Sequence, residues 1–100
     1  MTKEIVGRTH DRLAFRFELT PEAQQDIRNI PKTDAIRLFQ KLAQLGDDPY
    51  APSNAVRPMA GEYAGFYRLR CGDCRAIYRI ENNRLVILVI AAGGRDIIYR

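Results

Sequence analysis

One hundred residues with 46% hydrophobic side chains are enough for one domain whose core folds without disulfides or metals. The longest apolar run, 85-LVILVIAA-92, has the length of a buried strand and falls far short of the roughly 18–20 residues of a membrane span. The polar start MTKEIVGRTHDR is unlike a secretory signal, so we expect a cytoplasmic protein with no membrane partner.

The positive charge is concentrated in the last third of the chain. Residues 1–65 carry nine Lys/Arg and nine Asp/Glu, whereas residues 66–100 carry seven arginines against three acidic residues, so the whole formal charge of +4 lies there. Arginine offers a planar fork of donors that suits phosphate, and a compact arginine excess favours a polyanionic partner. A solvated basic sheet surface is the alternative that composition leaves open.

The chain begins with a predicted strand and helix. Residues 13–19 alternate apolar and polar side chains, which is typical of a strand covered on one face. Thr20 and Pro21 predict an N-cap and a first helical residue, and Pro31 is expected to end the helix. Its apolar face comprises Ala23, Ile27 and Ile30.

A second helix is predicted to follow after a short link, which makes an antiparallel helical hairpin. Thr33 can cap it, it runs to about Leu45, and Gly46 supplies a C-terminal stop. A broad apolar stripe on this helix is predicted from Ile36, Leu38, Phe39, Leu42, Ala43 and Leu45.

A long polar loop, 46–65, and three strands complete the predicted fold. The strands are expected at about 66–71, 74–80 and 84–92. Two-residue turns at Gly72-Asp73 and Asn82-Asn83 would join them.

The element order β-α-α-β-β-β predicts an α+β fold, with a mostly antiparallel, twisted sheet and an N-terminal helical hairpin packed on one face. The place of the first strand in the sheet stays open. We expect residues 13–100 to form this single domain and residues 1–12 to be a polar tail.

The motif Cys71-Gly-Asp-Cys74 is interpreted as structural. A turn at 72–73 would set the two cysteines opposite each other, on the same sheet face. A zinc site needs about four ligands, and the chain offers two cysteines and one distant histidine, His10. A redox C-x-x-C belongs at a helix N-terminus, which a β-turn does not supply. We therefore expect no metal and no cofactor, with the cysteines as packing residues or an incidental oxidation-prone pair.

The same hairpin is predicted to gather arginines. Pairing Cys71 with Cys74 sets Arg70 opposite Arg75. One face then carries Arg68, Arg70, Arg75 and Arg79 with Phe66 and Ile77. The opposite face, which can receive the helices, carries Tyr67, Leu69, Cys71, Cys74, Ala76, Tyr78 and Ile80. Like charges on paired strands are destabilising, and a phosphate-rich ligand would offset their repulsion.

Continuing the pairing through Asn82-Asn83 sets Ile90 near Arg75 and Ala91 near Cys74. The chain then leaves the last strand at the end where Arg70 and Arg75 lie, and Gly93-Gly94 leads to Arg95. We expect one anion-binding site formed by Arg68, Arg70, Arg75 and Arg95, with Tyr99 nearby. The alternative is that the arginines lie along the sheet or pair with Glu18, Asp73 and Asp96.

Five motifs occur in a familiar order and spacing. They are FELTPEAQQDIRNIPK (17–32), RPMAG (57–61), YRLRCGDCRAIYRI (67–80), NNRLVILVI (82–90) and GRDIIY (94–99). In the order and spacing of these motifs, the chain resembles the RelE/ParE superfamily of bacterial and archaeal toxins, and specifically its RelE branch. The likeness covers about residues 13–100.

The resemblance implies the toxin of a toxin–antitoxin pair, a ribosome-dependent endoribonuclease that cleaves mRNA in the A site by 2′-OH attack on the scissile phosphate and so inhibits translation. The family's catalytic residues match Arg68, Arg70, Arg75, Arg95 and Tyr99. The expected RNA-binding residues are Arg57, Arg68, Arg70, Arg75 and Arg79. The partners would be the ribosome, mRNA and an antitoxin with an acidic or amphipathic segment, with operator DNA reached only through the antitoxin.

The chain departs from the family's pattern where protons are transferred. Cys74 stands where many relatives have Tyr, Gly94 where relatives often have His or Lys, and no glutamate occupies the region of Arg57. His10 is the only histidine, so a two-histidine mechanism is excluded. Asp73 in a turn and Glu62 in a loop are poor candidates for the base, and arginine, with a pKa above about 12, is better suited to holding charge.

Two other functions stay open at this point. A ParE-like toxin shares the fold but inhibits DNA gyrase. A catalytically inactive, basic RNA-binding relative would bind RNA without cutting it.

Overall fold

The computed structural model describes residues 14–94 and has the predicted α+β fold. The strands are β1 (Arg16–Leu19), β2 (Val56–Pro58), β3 (Tyr67–Cys71), β4 (Cys74–Glu81) and β5 (Val86–Gly94). The helices are α1 (Pro21–Arg28) and α2 (Lys32–Asp47), and a short 3₁₀ helix spans Gly61–Tyr63. None of the helices in this part of the chain has the length and apolar character needed to cross a membrane. The predicted tail 1–12 and Leu13 lie outside the described residues.

The five strands form one sheet in the order β1-β5-β4-β3-β2. β1 runs parallel to β5, and the other neighbours are antiparallel. The structure thus places the first strand, whose position the sequence left open, beside the last. It also adds β2, a three-residue edge strand inside the predicted loop. Pro58 ends β2, in keeping with the confinement of proline to sheet edges.

The start of α1 is as predicted, and that of α2 is not. The Thr20 hydroxyl accepts a hydrogen bond from the Ala23 amide at 3.1 Å, which is the expected N-cap. In α2 the N-cap is Pro31 rather than Thr33, because the Pro31 carbonyl already accepts the Ala35 amide at 2.9 Å. Within the described part of the chain, no side chain caps the start of this helix.

Gly46 does not stop α2, as the sequence led us to expect, but lies buried within its last turn. The Phe15 amide donates to the Gly46 carbonyl at 2.8 Å, which ties the segment before β1 to the end of the helix. A Cβ on Gly46 would overlap the Phe15 carbonyl oxygen. Glycine is therefore required here by the close approach of two backbones.

The core lies between the helices and one face of the sheet. It contains Ala23, Ile27, Leu38, Leu42, Leu69, Cys71, Ala76, Tyr78, Ile87, Val89 and Ala92. Tyr67 and Ile80 pack against it, so the predicted helix-bearing face is confirmed for β3 and β4. The stripe on α2 is narrower than predicted, because Ile36 is 48% exposed and Ala43 is also exposed. Both lie on the side of the helix away from Leu38 and Leu42.

Among the described residues, Tyr78 is the largest side chain that is fully buried. Its ring stacks on that of Tyr67 with centroids 5.5 Å apart. Burial raises the pKa of Tyr78 to about 12. Among residues 14–94 its hydroxyl oxygen is the one buried side-chain polar atom without a hydrogen-bond partner.

The pairing of β3 with β4 agrees with the prediction residue for residue, with Arg70 opposite Arg75 and Cys71 opposite Cys74. Both cysteines are free and buried, with 3% of each exposed. Burial raises the pKa of the Cys74 thiol, and the nearby Asp34 carboxylate raises it further, so the reactive thiolate is disfavoured. This is the environment of a packing residue.

The predicted pairing of β4 with β5 is wrong. The strands are joined by the four residues 82–85 rather than by a two-residue turn, and Leu85 adopts a positive φ of 54°. Ile90 is an extra residue in β5, since Tyr78 pairs with Val89 while Ile77 pairs with Ala91. As a result Arg75 lies opposite Gly93, not Ile90.

The close contact at Gly46 predicts that replacing this glycine with alanine lowers stability, which is the opposite of the usual effect within a helix. Gly→Ala inside a helix ordinarily stabilises by about 0.5–1 kcal/mol. Gly46→Ala should instead lower the free energy of unfolding by about 1–3 kcal/mol, because backbone atoms must move to admit the methyl group. Urea denaturation measures this, and an unchanged or higher midpoint would show that the end of α2 is not packed against Phe15.

The unpaired hydroxyl predicts that Tyr78→Phe raises stability. A buried polar group without a partner costs about 1–3 kcal/mol, and phenylalanine keeps the ring stack on Tyr67. We expect a gain of about 1 kcal/mol by chemical denaturation. Tyr67→Phe, in the other ring of the stack, is the control and should change stability less. A loss of stability in Tyr78→Phe would mean that the hydroxyl has a partner.

Candidate nucleic-acid interface

Two cross-strand pairs place four arginines on the sheet face opposite the helices. Arg57 in β2 lies opposite Arg68 in β3, and Arg70 in β3 lies opposite Arg75 in β4. Arg68 and Arg70 are two residues apart on one strand, so their side chains project to the same side about 7 Å apart. The strands therefore bring Arg68, Arg70 and Arg75 together, and the unpredicted strand β2 adds Arg57.

These arginines line a hollow of about 60 Å³, completed by Asn54 and Ala55. The Ala55 carbonyl accepts the Arg70 amide at 2.7 Å, which fixes the segment before β2 against β3. By volume the hollow can admit a small anion such as phosphate, and the four arginines that line it supply hydrogen-bond donors for one. We call it the arginine hollow.

Arg75 is held in place by the turn that precedes it. Its Nη1 donates to the Gly72 carbonyl at 3.2 Å and to the Cys74 carbonyl at 3.1 Å. Gly72 has a φ of 61°, and a positive φ at the first central residue alone is the pattern of a type II′ hairpin turn. Gly93 opposite Arg75 has no side chain, so β5 places none over the guanidinium at this position.

A helix contributes a further arginine at the same end of the sheet, which the sequence did not reveal. Arg37 of α2 approaches the turn, with its Nη1 3.9 Å from the position that a Cβ on Gly72 would take. Only the packing of α2 on the sheet makes this arginine a neighbour of the turn.

The other arginines of this sheet are neutralised at the opposite end of the strands. Arg79 pairs with Glu81 at 2.7 Å, and its guanidinium lies 5.9 Å from the Phe66 ring centre. Arg84 bridges Glu81 at 2.6 Å and Glu18 at 3.0 Å. Hydrogen bonds from Arg16 and Arg84 lower the pKa of Glu18, and hydrogen bonds from Arg84 and Arg79 lower the pKa of Glu81. The alternative that the site arginines pair with Glu18 is therefore wrong for Arg68, Arg70 and Arg75, because Glu18 is paired with Arg16 and Arg84 instead.

The arginines of the hollow have no such compensation. Within residues 14–94, Arg57, Arg68, Arg70 and Arg75 form no ion pair, and Asp73, in the turn next to Arg75, does not neutralise it. Arg79 shares their sheet face but belongs to the paired end. The predicted site residues Arg95 and Tyr99, and the possible partner Asp96, lie outside the described residues. Gly94, just before Arg95, pairs with Cys74.

A larger cleft of about 560 Å³ adjoins the hollow. It is lined by Arg57, Pro58, Met59, Ala60, Gly61, Glu62, Tyr63 and Arg68. Arg57 and Arg68 line both spaces. Sequence reasoning set Glu62 aside as a loop residue and did not consider Tyr63. The sequence signal that could have identified Glu62 and Tyr63 is their position directly after the RPMAG motif.

The chemistry available in the hollow is anion binding. Guanidinium groups donate up to five hydrogen bonds each and cannot take up a proton at neutral pH. No carboxylate or imidazole lines the hollow among the described residues. The arrangement can hold a phosphate and stabilise added negative charge on it, which is electrostatic catalysis rather than acid–base catalysis.

Comparison with known proteins gives one family match. The family model described as "ParE toxin of type II toxin-antitoxin system, parDE" matches residues 17–99, which is most of the chain. This confirms the resemblance to the RelE/ParE superfamily.

Individual relatives are distant but match over most of their length. Toxin RelG of Mycobacterium tuberculosis is 24% identical over 90 residues, which cover 88% of this chain and 99% of that protein. The mRNA interferase toxin RelE of Escherichia coli K12 is 25% identical over 84 residues, covering 84% and 86% of the two chains. A chain in the crystal structure of the toxin–antitoxin complex RelBE2 from M. tuberculosis superposes with a TM-score of 0.73 at 20% identity, covering 83% of this chain and 93% of that one. At this identity the structural likeness establishes the fold.

Repulsion within the hollow predicts that removing one charge stabilises the protein. Arg70→Gln should raise the free energy of unfolding by about 0.2–1 kcal/mol at low salt, because like charges lie directly opposite each other at Arg70 and Arg75. The gain should disappear near 1 M salt, where the Debye length falls to about 3 Å.

Arg79→Gln is the matched control for this measurement, since it removes an arginine of the same sheet face that is paired with Glu81. It should leave stability unchanged or lower it. Denaturation curves of the two variants at both salt concentrations make the comparison. Equal effects would show that the hollow is not under electrostatic strain.

Proposed function

The chain belongs to the ParE toxin family of type II toxin–antitoxin systems, and we propose that it acts as a ribosome-dependent endoribonuclease that cleaves mRNA. The observation that carries the proposal is the arginine hollow: four guanidinium groups, unpaired within the described residues, around a space of phosphate size. The mRNA interferase RelE, a relative over 84% of this chain, supports the choice of RNA as substrate.

The reaction consistent with this site is transesterification. The 2′-oxygen of one nucleotide attacks the adjacent phosphorus, the bond from phosphorus to the 5′-oxygen breaks, and the products are a 2′,3′-cyclic phosphate and a 5′-hydroxyl. The 2′-OH loses a proton and the leaving oxygen gains one. Between these events the phosphorane carries extra negative charge, which Arg68, Arg70 and Arg75 would stabilise.

Positioning is the second contribution of the hollow. Arg75 is anchored by the 72–73 turn, so its remaining donors meet the phosphate in a fixed direction. Arg57 and Arg68 would hold a neighbouring phosphate or ribose. A site without a strong base should be slow on free RNA and depend on the ribosome to hold the message in a reactive geometry.

The two predicted residues beyond Gly94 complete the proposal. Arg95 would stabilise charge on the leaving oxygen, and Tyr99 would stack on a base or orient the 2′-OH. Stacking of this kind is worth about 1–3 kcal/mol per base.

The same charge would determine the protein partner. The arginines of the hollow have no ion-pair partner within residues 14–94 and are complementary to an acidic segment, so we propose an antitoxin that covers them with acidic or amphipathic chain. The RelBE2 relative, which was solved as a toxin–antitoxin complex, supports this expectation. Ribosome and mRNA would compete with the antitoxin for these arginines, and operator DNA would be contacted only through the antitoxin.

Inhibition of DNA gyrase is the second candidate, because the matching family model is that of ParE toxins. Induction of the chain separates the two. Phased mRNA cleavage identifies the nuclease, whereas a DNA-damage response with intact mRNA identifies a gyrase inhibitor. Binding to programmed ribosomes without cleavage would identify an inactive relative.

Substitution in the hollow tests the proposed chemistry. Arg75→Ala should lower the rate of mRNA cleavage in a translation extract by about 10²–10³-fold, the usual loss for one donor to a developing oxyanion. Primer extension on a reporter message maps and quantifies the 5′ ends. Arg75→Lys should recover part of the rate, because it restores the charge but not the fork.

Arg84→Ala is the control, since this arginine belongs to the paired end of the sheet. It should cleave within a few-fold of the unaltered chain. Similar rates for Arg75→Ala and Arg84→Ala would remove the hollow from the mechanism. An unaltered chain that cuts no message at all would reject the nuclease itself.

A further inference from the structure

The cleft beside the arginine hollow has the dimensions of a nucleoside site. Its volume of about 560 Å³ lies within the roughly 300–1,000 Å³ of small-molecule pockets. Because Arg57 and Arg68 line both spaces, the two spaces are adjacent, and a nucleotide whose phosphate lies in the hollow can place its base in the cleft. The lining residues Pro58, Met59 and Tyr63 offer apolar contact to such a base.

The outer wall of this cleft is built by backbone hydrogen bonds. Met59 donates to the Phe66 carbonyl at 2.9 Å, and Phe66 in turn donates to the Tyr63 carbonyl at 3.0 Å. Gly61 begins the 3₁₀ helix with a φ of 66°, a conformation that side chains rarely adopt. The loop 58–66 is therefore a formed structure that holds Glu62 and Tyr63 at the cleft.

Glu62 is the only acidic side chain among the described residues that line the cleft. It forms no ion pair with Arg57 or Arg68, which line the same space. Its carboxylate is thus available to a ligand. An ionised carboxylate only accepts hydrogen bonds, and its two oxygens suit two donors that lie side by side.

Among the four RNA bases only guanine presents such a pair, N1–H and the N2 amino group. Adenine and cytosine place one amino group beside an acceptor nitrogen, and uracil has one N–H between two carbonyls. Base edges of this kind are read by side chains when single-stranded RNA is recognised. We propose that the cleft binds the base of a nucleotide next to the scissile phosphate, and that Glu62 selects guanine there.

This inference rests on the proposed function for its biological setting, but its content is a binding preference that can be measured without cleavage. Guanosine 5′-monophosphate should bind the purified chain about tenfold or more tightly than the adenosine, cytidine and uridine monophosphates, the discrimination typical of a bidentate contact. Titrations followed by NMR chemical shifts report the affinity and locate the ligand at residues 57–68.

Glu62→Gln is the variant that tests the role of the carboxylate most directly. Its carboxamide offers one acceptor and one donor, so it cannot accept from both N1–H and the N2 amino group of guanine, whereas each of the four bases offers it a donor beside an acceptor. The preference for guanosine monophosphate should therefore fall at least tenfold, and Glu62→Ala should likewise bind all four nucleotides alike. Glu22→Gln, an exposed glutamate at the start of α1, is the control and should behave as the unaltered chain.

Cleavage of reporter messages that differ only in the base on either side of the cut tests the same preference in the reaction. The unaltered chain should favour guanine at one of these positions, and Glu62→Gln should lower the rate at guanine more than the rates at the other three bases. A uniform loss at every base would overturn the inference, because Glu62 would then act in the chemistry. Equal affinity of the unaltered chain for the four monophosphates would overturn it too. Guanine-selective binding without any cleavage would leave it standing and reject the proposed nuclease.

Discussion

The functional face of this protein depends on electrostatic repulsion between arginines that the sheet forces together. Backbone pairing places Arg57 beside Arg68 and Arg70 beside Arg75, and no carboxylate among the described residues relieves them. Such an arrangement lowers stability unless an anion occupies it. The hydrophobic core on the other face of the sheet supplies the stability that offsets this repulsion. The helices that build the core therefore allow the arginine hollow to exist in the folded protein.

Charge is segregated along the strands as well as between the faces. At one end Arg16, Arg79 and Arg84 are neutralised by Glu18 and Glu81, while the end near the 72–73 turn is left positive. Both ends have exposed arginines, so composition alone could not distinguish them. What distinguishes them is which residues have a glutamate as a neighbour across or along the strands. The unpaired end is the one that offers a strong field to phosphate.

The sequence predicted the hollow better than the rest of the site, for a physical reason. A two-residue turn with glycine in its first position fixes the register of the β3–β4 hairpin, and register decides which side chains share a face. A leucine such as Leu85 gives no sequence signal for a positive φ, and the bulge at Ile90 depends on tertiary packing. The pairing of β4 with β5 could therefore not be predicted from the sequence. Strand β2 is three residues long and ends in proline, so it is too short to show the alternating pattern by which a strand is recognised in a sequence. With β2 the sequence also missed how Arg57 and the cleft reach the site.

The errors in the prediction leave the central geometry intact because they change what surrounds Arg75 rather than which way it points. The four-residue connection 82–85 and the bulge together place Gly93 opposite Arg75, where the predicted register would have placed Ile90, so β5 sets no side chain over the guanidinium. On the other side, β2 contributes Arg57 and closes the hollow. A flat basic hairpin would attract any polyanion weakly. A hollow of phosphate size next to a cleft of nucleoside size restricts both the position and the orientation of a bound nucleotide, and orientation is what in-line attack on phosphorus requires.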